Sequence, residues 1–242
     1  MRETAIIIKR EFKSYFLSPI AYVIGCLFLV IIGWLFFRAL FLESTLIEAR
    51  MTQFFSLLPI TFLVLCPALT MRLWSEERKL GTLELLMTFP AKISHLIFGK
   101  FLAALLFLAV LLALTLPYAF TLNMYAELDW GPVIGGYLGA ILLAGACLGV
   151  GLFFSSITRD QIIAFILTVV VLTLFYLMGQ PDLLTFMPDS LSRLFVTMSL
   201  ANAFNSIARG VLDSRDILYY VGFAGLFLYL NSVVLQTKKW RG

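Results

Sequence analysis

The chain has 242 residues, of which 61% are hydrophobic and 13% are charged, and its mean hydropathy is +0.98. Soluble domains carry roughly 45–50% apolar and about 25% charged residues, so this composition excludes a soluble globular protein. The net charge is +4, but the basic residues stand at the ends of apolar runs and form no basic surface, which excludes nucleic-acid binding. Cys26, Cys66 and Cys147 lie inside apolar runs without C-x-x-C spacing, so we expect neither disulfides nor a metal site.

Residues 1–16 are predicted to form an amphipathic helix that lies in the membrane interface. Their apolar side chains recur at helical spacing, and the cations between them would face the lipid headgroups. Those cations are Arg2, Lys9, Arg10 and Lys13. The alternative is a cytoplasmic extension of the first span. We expect this end to be retained, because the apolar run that follows is too long for a signal peptide.

Six apolar runs are long enough to cross a bilayer core, which takes about 20 helical residues. Their predicted bounds are 20–42, 52–71, 101–121, 132–154, 161–178 and 217–236. The fourth run carries two Gly-x-x-x-Gly spacings, at 135/139 and 145/149, which let another helix approach closely. We expect this packing to occur within the chain rather than at a subunit interface.

Residues 180–216 carry too many charges to span the membrane and are predicted to be helical and half-buried at its surface. Their apolar positions recur at helical spacing up to 208, between a start at Pro188 and a stop at Gly210. Asp213 and Asp216 are placed to cap the start of the sixth span. The residues singled out in this segment are Leu191, Leu194, Phe195, Met198, Arg209, Asp213 and Asp216.

The basic residues are distributed unequally between the two sides that six spans define. One side, formed by both termini, residues 72–100 and residues 155–160, holds 13 of the 18 lysines and arginines, and the other side holds 5. Because lysine and arginine are retained in the cytoplasm, the first side is predicted to be cytoplasmic. Residues 180–216 are then external.

The longest polar interruption in the first half of the chain is 72–100. A charge run at 76–79 precedes Gly81, which is expected to allow a turn between two short helices, and Thr82, which is expected to cap the second. Leu83 and Leu85 would supply an apolar plug, and the neighbouring charges would orient it. Those charges are Glu76, Glu77, Arg78 and Glu84. The alternative is that the basic residues only anchor topology and the glutamates are solvated.

The chain shows no chemistry that would drive transport or catalysis. Span interiors hold almost no ionisable side chain, which argues against ion coupling, and no P-loop, zinc-protease or serine-hydrolase motif occurs. The single histidine, His95, is not interpreted as a base. We therefore expect no catalytic residue, metal or cofactor in this chain, and we expect force to arrive through residues 72–100.

The string SEERKLGTLELLMTFP resembles the cytoplasmic loop of ABC-2-type exporter permeases. The segments IIIKREFKSYFLSPIAYV and RGVLDSRDILYYVGFAGLFLYLNSVVLQTKKW resemble the two ends of the gliding-motility subgroup of that family. This resemblance implies an all-α membrane protein with one domain over 1–242. It has six spans, an interfacial helix at 1–16, a coupling loop at 72–100 and short external helices within 180–216. The residues that it implies for coupling are Glu76, Glu77, Arg78, Gly81, Thr82, Leu83, Glu84 and Leu85.

The resemblance also implies the partners. A dimer of ABC ATPase subunits would bind ATP and Mg²⁺, and a second permease copy or a related permease would complete the pore in the cell inner membrane, with both termini cytoplasmic. Membrane lipid and a periplasmic protein are the other expected partners. Two other functions stay open: an ion-coupled carrier or channel, and a membrane enzyme or structural subunit of a surface motility machine.

Overall fold

The computed structural model describes residues 2–42, 51–83, 92–125, 128–185, 188–210 and 213–239. These residues are almost entirely helical and contain no strand, which confirms the predicted all-α class. The helices are α1 (Arg2–Leu17), α2 (Pro19–Leu42), α3 (Thr52–Thr70), α4 (Arg72–Lys79), α5 (Ile93–Ala113), α6 (Leu116–Tyr125), α7 (Trp130–Ile157), α8 (Gln161–Leu177), α9 (Pro181–Leu184), α10 (Asp189–Met198), α11 (Leu200–Ala208) and α12 (Ser214–Lys239).

Five helical stretches within the described residues are long and apolar enough to cross a membrane. They are Pro19–Arg38, Phe54–Lys79, Ile93–Met124, Trp130–Ile157 and Ser214–Thr237. The helix at the predicted fifth span, α8, is apolar but has only 17 residues, a length of about 26 Å at 1.5 Å per residue. The prediction of six spans is therefore matched by five candidate spans and one shorter helix.

The third predicted span, 101–121, is longer than expected and is interrupted. It begins at Ile93, and the break between α5 and α6 lies at Leu114 and Thr115. The Thr115 hydroxyl donates to the carbonyl of Leu112 at 2.6 Å and lies 3.0 Å from the Tyr137 hydroxyl. These two contacts satisfy the hydrogen-bonding capacity of the buried Thr115 hydroxyl. Pro117 follows in the first turn of α6 and cannot donate to the preceding helix, so α5 and α6 together form the third candidate span with a break inside it.

The central helix of the bundle is α7, which packs against α3, α4, α5, α8, α11 and α12. Its glycines face neighbouring helices of the same chain. A methyl group added at Gly135 would lie 2.9 Å from the carbonyl oxygen of Ile207 in α11, and one at Gly149 would lie 3.3 Å from that of Ala224 in α12. The glycine spacing in this helix therefore supports packing within the chain, as predicted.

The segment before α12 forms three short helices, although the helical spacing continues without interruption from 191 to 208. Ser199 breaks the run with an extended backbone, and its hydroxyl accepts from the amide of Asn202 at 3.4 Å, which begins α11. The apolar face of α11 is buried against α7, whereas α10 leaves Leu191, Leu194 and Met198 exposed and Phe195 half-buried.

The predicted stop and cap around residue 210 are confirmed. Arg209 ends α11, and Gly210 follows with a φ of +87°, a conformation that suits glycine. The Asp213 carboxylate accepts from the amide of Arg215 at 3.0 Å, so it caps α12. Asp216 lies in the first turn of that helix.

Candidate functional site

The site is formed where α1, α4 and the start of α5 meet at one end of the bundle. α3 passes into α4 through Met71 alone, whose backbone remains in the helical region and whose amide donates to the carbonyl of Pro67 at 2.8 Å. Residues 72–100, predicted to be a loop with two short helices, are thus helical at both ends, over Arg72–Lys79 and from Ile93 onward. Residues 84–91, with Glu84 and Leu85, lie outside the described residues.

One side of α4 is fixed to the end of α7. The buried Ser155 hydroxyl accepts from the amides of Trp74 and Ser75 at 3.0 and 3.2 Å and donates to the carbonyl of Met71 at 3.0 Å. The first amides of a helix have no partner within it, so one side chain here satisfies two of them. At the other end of α4, the Arg78 guanidinium donates to the carbonyls of Ser156, at 3.0 Å, and Ile157.

A second side of α4 is fixed to the junction between α1 and α2, and the end of α3 beside it is fixed to α1. The Arg72 guanidinium donates to the Ser18 hydroxyl at 2.9 Å and to the Glu76 carboxylate at 3.2 Å. The Tyr15 hydroxyl donates to the carbonyl of Leu69 at 3.1 Å. Burial, reinforced by the nearby Glu11 carboxylate, raises the pKa of Tyr15, so the phenol keeps its proton and remains a donor.

A buried ion pair joins α4 to α5 and α1. The Lys100 ammonium is 1% exposed, and it lies 2.7 Å from the Glu77 carboxylate, 3.5 Å from that of Glu11 and 5.0 Å from the centre of the Trp74 ring. We call these four residues the lysine cluster. Burial acts to raise the pKa of Glu11, but the Lys100 ammonium and the Arg10 guanidinium outweigh it and hold that pKa below its ordinary value.

The lysine cluster is not predicted from the sequence. Lys100 is one more cation of a segment predicted to be cytoplasmic, and Glu11 is not among the residues singled out in residues 1–16. Glu11 lies three residues after Ile8 and four before Tyr15, both of which are partly buried, so it shares the packed face of α1. A carboxylate on such a face requires a buried partner, and this is the signal that indicates the cluster.

The predicted coupling residues have different surroundings. The Glu77 and Arg78 side chains are held by the chain itself, so the alternative that Glu77 is solvated is wrong. Leu83, expected to form part of an apolar plug, is buried. The exposed part is a turn of three residues: Leu80, which is 69% exposed, Gly81 with a φ of +70°, and Thr82.

Gly81 turns the chain as predicted, because its positive φ is accessible to glycine at little cost. The hydroxyl of Thr82 donates to the carbonyl of Glu77 at 3.3 Å, so it contacts the end of α4. Thr82 and Leu83 have helical backbone, so Gly81 stands between two helical stretches, as predicted. We call Leu80, Gly81 and Thr82 the exposed turn.

The helix predicted at 1–16 is confirmed as α1, which begins at Arg2 and ends at Leu17. The side chains of Lys9, Arg10 and Lys13 are exposed, as expected of cations that face lipid headgroups. The opposite face packs on α5, where the Tyr15 ring stacks on Phe107 at 5.0 Å between centres.

The described residues contain no group of three histidine, cysteine, aspartate or glutamate side chains able to hold a metal ion. The polar contacts between α4 and the helices around it are structural hydrogen bonds and ion pairs. The arrangement is suited to transmitting a displacement from the exposed turn to α1, α5 and α7.

A family profile described as ABC-2 family transporter protein matches residues 5–207, from α1 to near the end of α11. The match includes α4, the lysine cluster and the exposed turn. Comparison with individually curated proteins gave no match.

Proposed function

The chain belongs to the ABC-2 family of transporter proteins and is a multi-pass membrane permease, and from this premise we propose that a separate ABC ATPase docks on residues 72–100 and drives export. The ATPase subunits bind and hydrolyse ATP with Mg²⁺, and the present chain supplies the pathway through the membrane. The predicted spans contain almost no ionisable side chain that could couple transport to an ion gradient, and this supports a separate ATPase as the source of energy.

One observation carries the proposal: α4 is fixed to α7, α5 and α1 and to the junction between α1 and α2, while the turn that follows it is exposed. Ser155 ties α4 to α7, Arg72 bonds to Ser18 between α1 and α2, and Lys100 ties α4 to α5 and α1. Packed protein interiors have low compressibility and transmit strain. A displacement of the exposed turn is therefore transmitted through α4 to the helices packed against it.

The exposed turn has the composition of a small docking surface. Leu80 presents an apolar side chain, and the exposed Lys79 stands beside it. A central apolar contact with charges at its rim is the usual arrangement of protein interfaces, in which the charges set orientation and association rate. Glu84 and Leu85, which follow in sequence, belong to the proposed surface.

The proposed topology has six spans, with α8 as the fifth, and places both termini and α4 in the cytoplasm. The distribution of 13 basic residues against 5 supports it. We propose the cell inner membrane as the location and a second copy or a related permease as the partner in the pore. The resemblance of the end segments supports the gliding-motility subgroup, in which a periplasmic protein would meet the external helices α9–α11.

The proposal is tested by reconstitution. An ABC ATPase should co-purify with the chain from native membranes, and its ATP hydrolysis should be faster in proteoliposomes that contain the chain. Leu80→Asp should abolish this stimulation, because it places a charge at the centre of the docking surface. Val196→Asp, at an exposed position of α10, is the matched control and should retain it. Normal stimulation with Leu80→Asp would refute the docking assignment, and transport on an ion gradient without ATPase would favour the carrier.

A further inference from the structure

A cleft of about 410 Å³ opens between α1, α2 and the junction of α3 with α4. Part of its lining is polar and part is apolar. The polar part includes Arg10, Ser14, Arg72 and Glu76. The apolar part includes Ile20 and Ile24 of α2 and Ala68 and Leu69 of α3. The cleft therefore offers a polar end and an apolar end to one ligand.

The cleft lies where the apolar helices give way to charged segments. α2 begins at Pro19 and is apolar from its first turn, whereas α1 before it carries cations on its exposed face. On the other wall, α3 is apolar up to Thr70, and the first charge of α4 is Arg72. In a membrane protein this boundary lies at the level of the lipid headgroups, so a phospholipid is the ligand that reaches both ends of the cleft.

The charges around the cleft are balanced. Three cations, Arg10, Arg72 and Lys100, line it together with three carboxylates, Glu11, Glu76 and Glu77. A lipid with a net negative charge would gain nothing from a lining of zero net charge, because the attraction and the repulsion cancel. A headgroup that carries one positive and one negative charge matches both signs.

Two side chains of the lining are placed to contact such a headgroup. The side chains of Arg72 and Glu76 are 29% and 42% exposed, whereas that of Lys100 is satisfied inside the lysine cluster. The Arg72 guanidinium has five N–H donors, and its two described bonds go to Ser18 and Glu76. The Glu76 carboxylate accepts from Arg72 through Oε2, and the described part of the chain places no donor on its Oε1.

We propose that this cleft binds a phospholipid with a primary ammonium, of the phosphatidylethanolamine class, with Arg72 donating to its phosphate and Glu76 accepting from its ammonium. One acyl chain lies along Ile20 and Ile24. A choline headgroup has no N–H to donate, and proteins recognise it with aromatic cages, which this lining does not provide. The inference depends on the chain being embedded in a membrane and does not depend on the proposed docking of an ATPase.

The test is native mass spectrometry of the full chain in detergent, titrated with dioleoyl phosphatidylethanolamine, phosphatidylcholine and phosphatidylglycerol, and separately with free phosphoethanolamine. Glu76→Gln removes the ammonium acceptor, and Asp160→Asn, an exposed acid outside the cleft, is its matched control. Ser14→Phe fills the cleft and leaves every charge in place. Thermal unfolding of each variant checks that it is folded.

The wild-type chain should bind the ethanolamine lipid about tenfold more tightly than the choline lipid. This difference is the contribution expected of one charge-assisted hydrogen bond, here between the lipid ammonium and the Glu76 carboxylate. Glu76→Gln should remove this preference, Ser14→Phe should remove the tight binding and Asp160→Asn should keep both. Equal affinity for the ethanolamine and choline lipids, tightest binding of the glycerol lipid, or a preference unaffected by Glu76→Gln would overturn the proposal. Binding of free phosphoethanolamine as tight as that of the lipid would show that the cleft takes a soluble phosphate ester instead.

Discussion

Replacing Lys100 with methionine should destabilise the protein more than any exposed charge change. Methionine keeps most of the volume of the lysine side chain but leaves the carboxylates of Glu77 and Glu11 without their buried ammonium. Removal of one partner of a buried ion pair costs about 3–5 kcal/mol, because the remaining charge is buried and uncompensated. Arg10→Gln is the control, because the side chain of Arg10 is 59% exposed and a surface pair contributes roughly 0.2–1 kcal/mol.

The free energy of unfolding can be measured by titrating mixed micelles with a denaturing detergent and following circular dichroism and tryptophan fluorescence, since Trp74 lies 5.0 Å from the ammonium. In a double-mutant cycle, Glu77→Gln should recover part of the loss, with a coupling of about 1–3 kcal/mol. A loss below about 1 kcal/mol for Lys100→Met, equal to that of the exposed control, would refute the claim that the lysine cluster holds α4 in place.

The pH dependence of stability gives the same prediction an independent readout. Because the folded-state pKa of Glu11 lies below its ordinary value, this group contributes stability that is fully present above the unfolded-state pKa and is lost as the pH falls through the folded-state pKa. Lys100→Met removes an opposing charge and raises the folded pKa of Glu11 toward the unfolded value. The loss of stability on acidification should therefore be smaller in the variant. An unchanged acid profile would contradict this assignment.

Three further changes test the packing and the turn. Ser155→Ala should cost at least about 2 kcal/mol of unfolding free energy, because it leaves two buried amides without an acceptor. Ser232→Ala, whose hydroxyl is exposed, should change it by less than about 0.5 kcal/mol, and equal effects would be evidence against the Ser155 bonds that fix α4 to α7. Gly135→Ala should lower the free energy of unfolding by about 1–3 kcal/mol, because the added methyl group meets backbone atoms of α11 and Gly210. Gly222→Ala, whose added methyl group has nothing within 4 Å, should be neutral or stabilising in the same assay. A larger loss for Gly222→Ala than for Gly135→Ala would contradict the packing of α7 on α11. Gly81→Pro should uncouple ATP hydrolysis from transport, because proline locks φ near −65° and the exposed turn requires a φ of +70°. Gly81→Asn should retain coupling, because asparagine can adopt a positive φ. Normal coupling in Gly81→Pro would exclude a role for the exposed turn.

Features set by neighbouring residues could be predicted from the sequence. The α1 helix, the positive φ of Gly81 and the cap at Asp213 each depend on a few consecutive residues, and local spacing or residue type indicates all three. The family resemblance also rested on a contiguous string, and the family match confirms it.

Features set by distant residues could not be predicted in the same way. Lys100 is buried because Glu77, 23 positions before it, and Glu11, 89 positions before it, are brought to it by the fold. Within its own segment it is one charge among several and resembles a loop residue. The contact between the Thr115 and Tyr137 hydroxyls likewise joins positions 22 residues apart. A purely local pattern contains neither contact.

In the proposed function, the exposed turn is the surface through which an ATPase moves the membrane helices. Site-specific crosslinking from Leu80→Cys tests this directly, in a Cys26→Ala background, since the other two cysteines, Cys66 and Cys147, are buried. In native membranes we expect a crosslink from position 80 to an ABC ATPase subunit, with labelling only from the cytoplasmic side. Labelling of position 80 from the outer face, or an active transporter without any such crosslink, would contradict it.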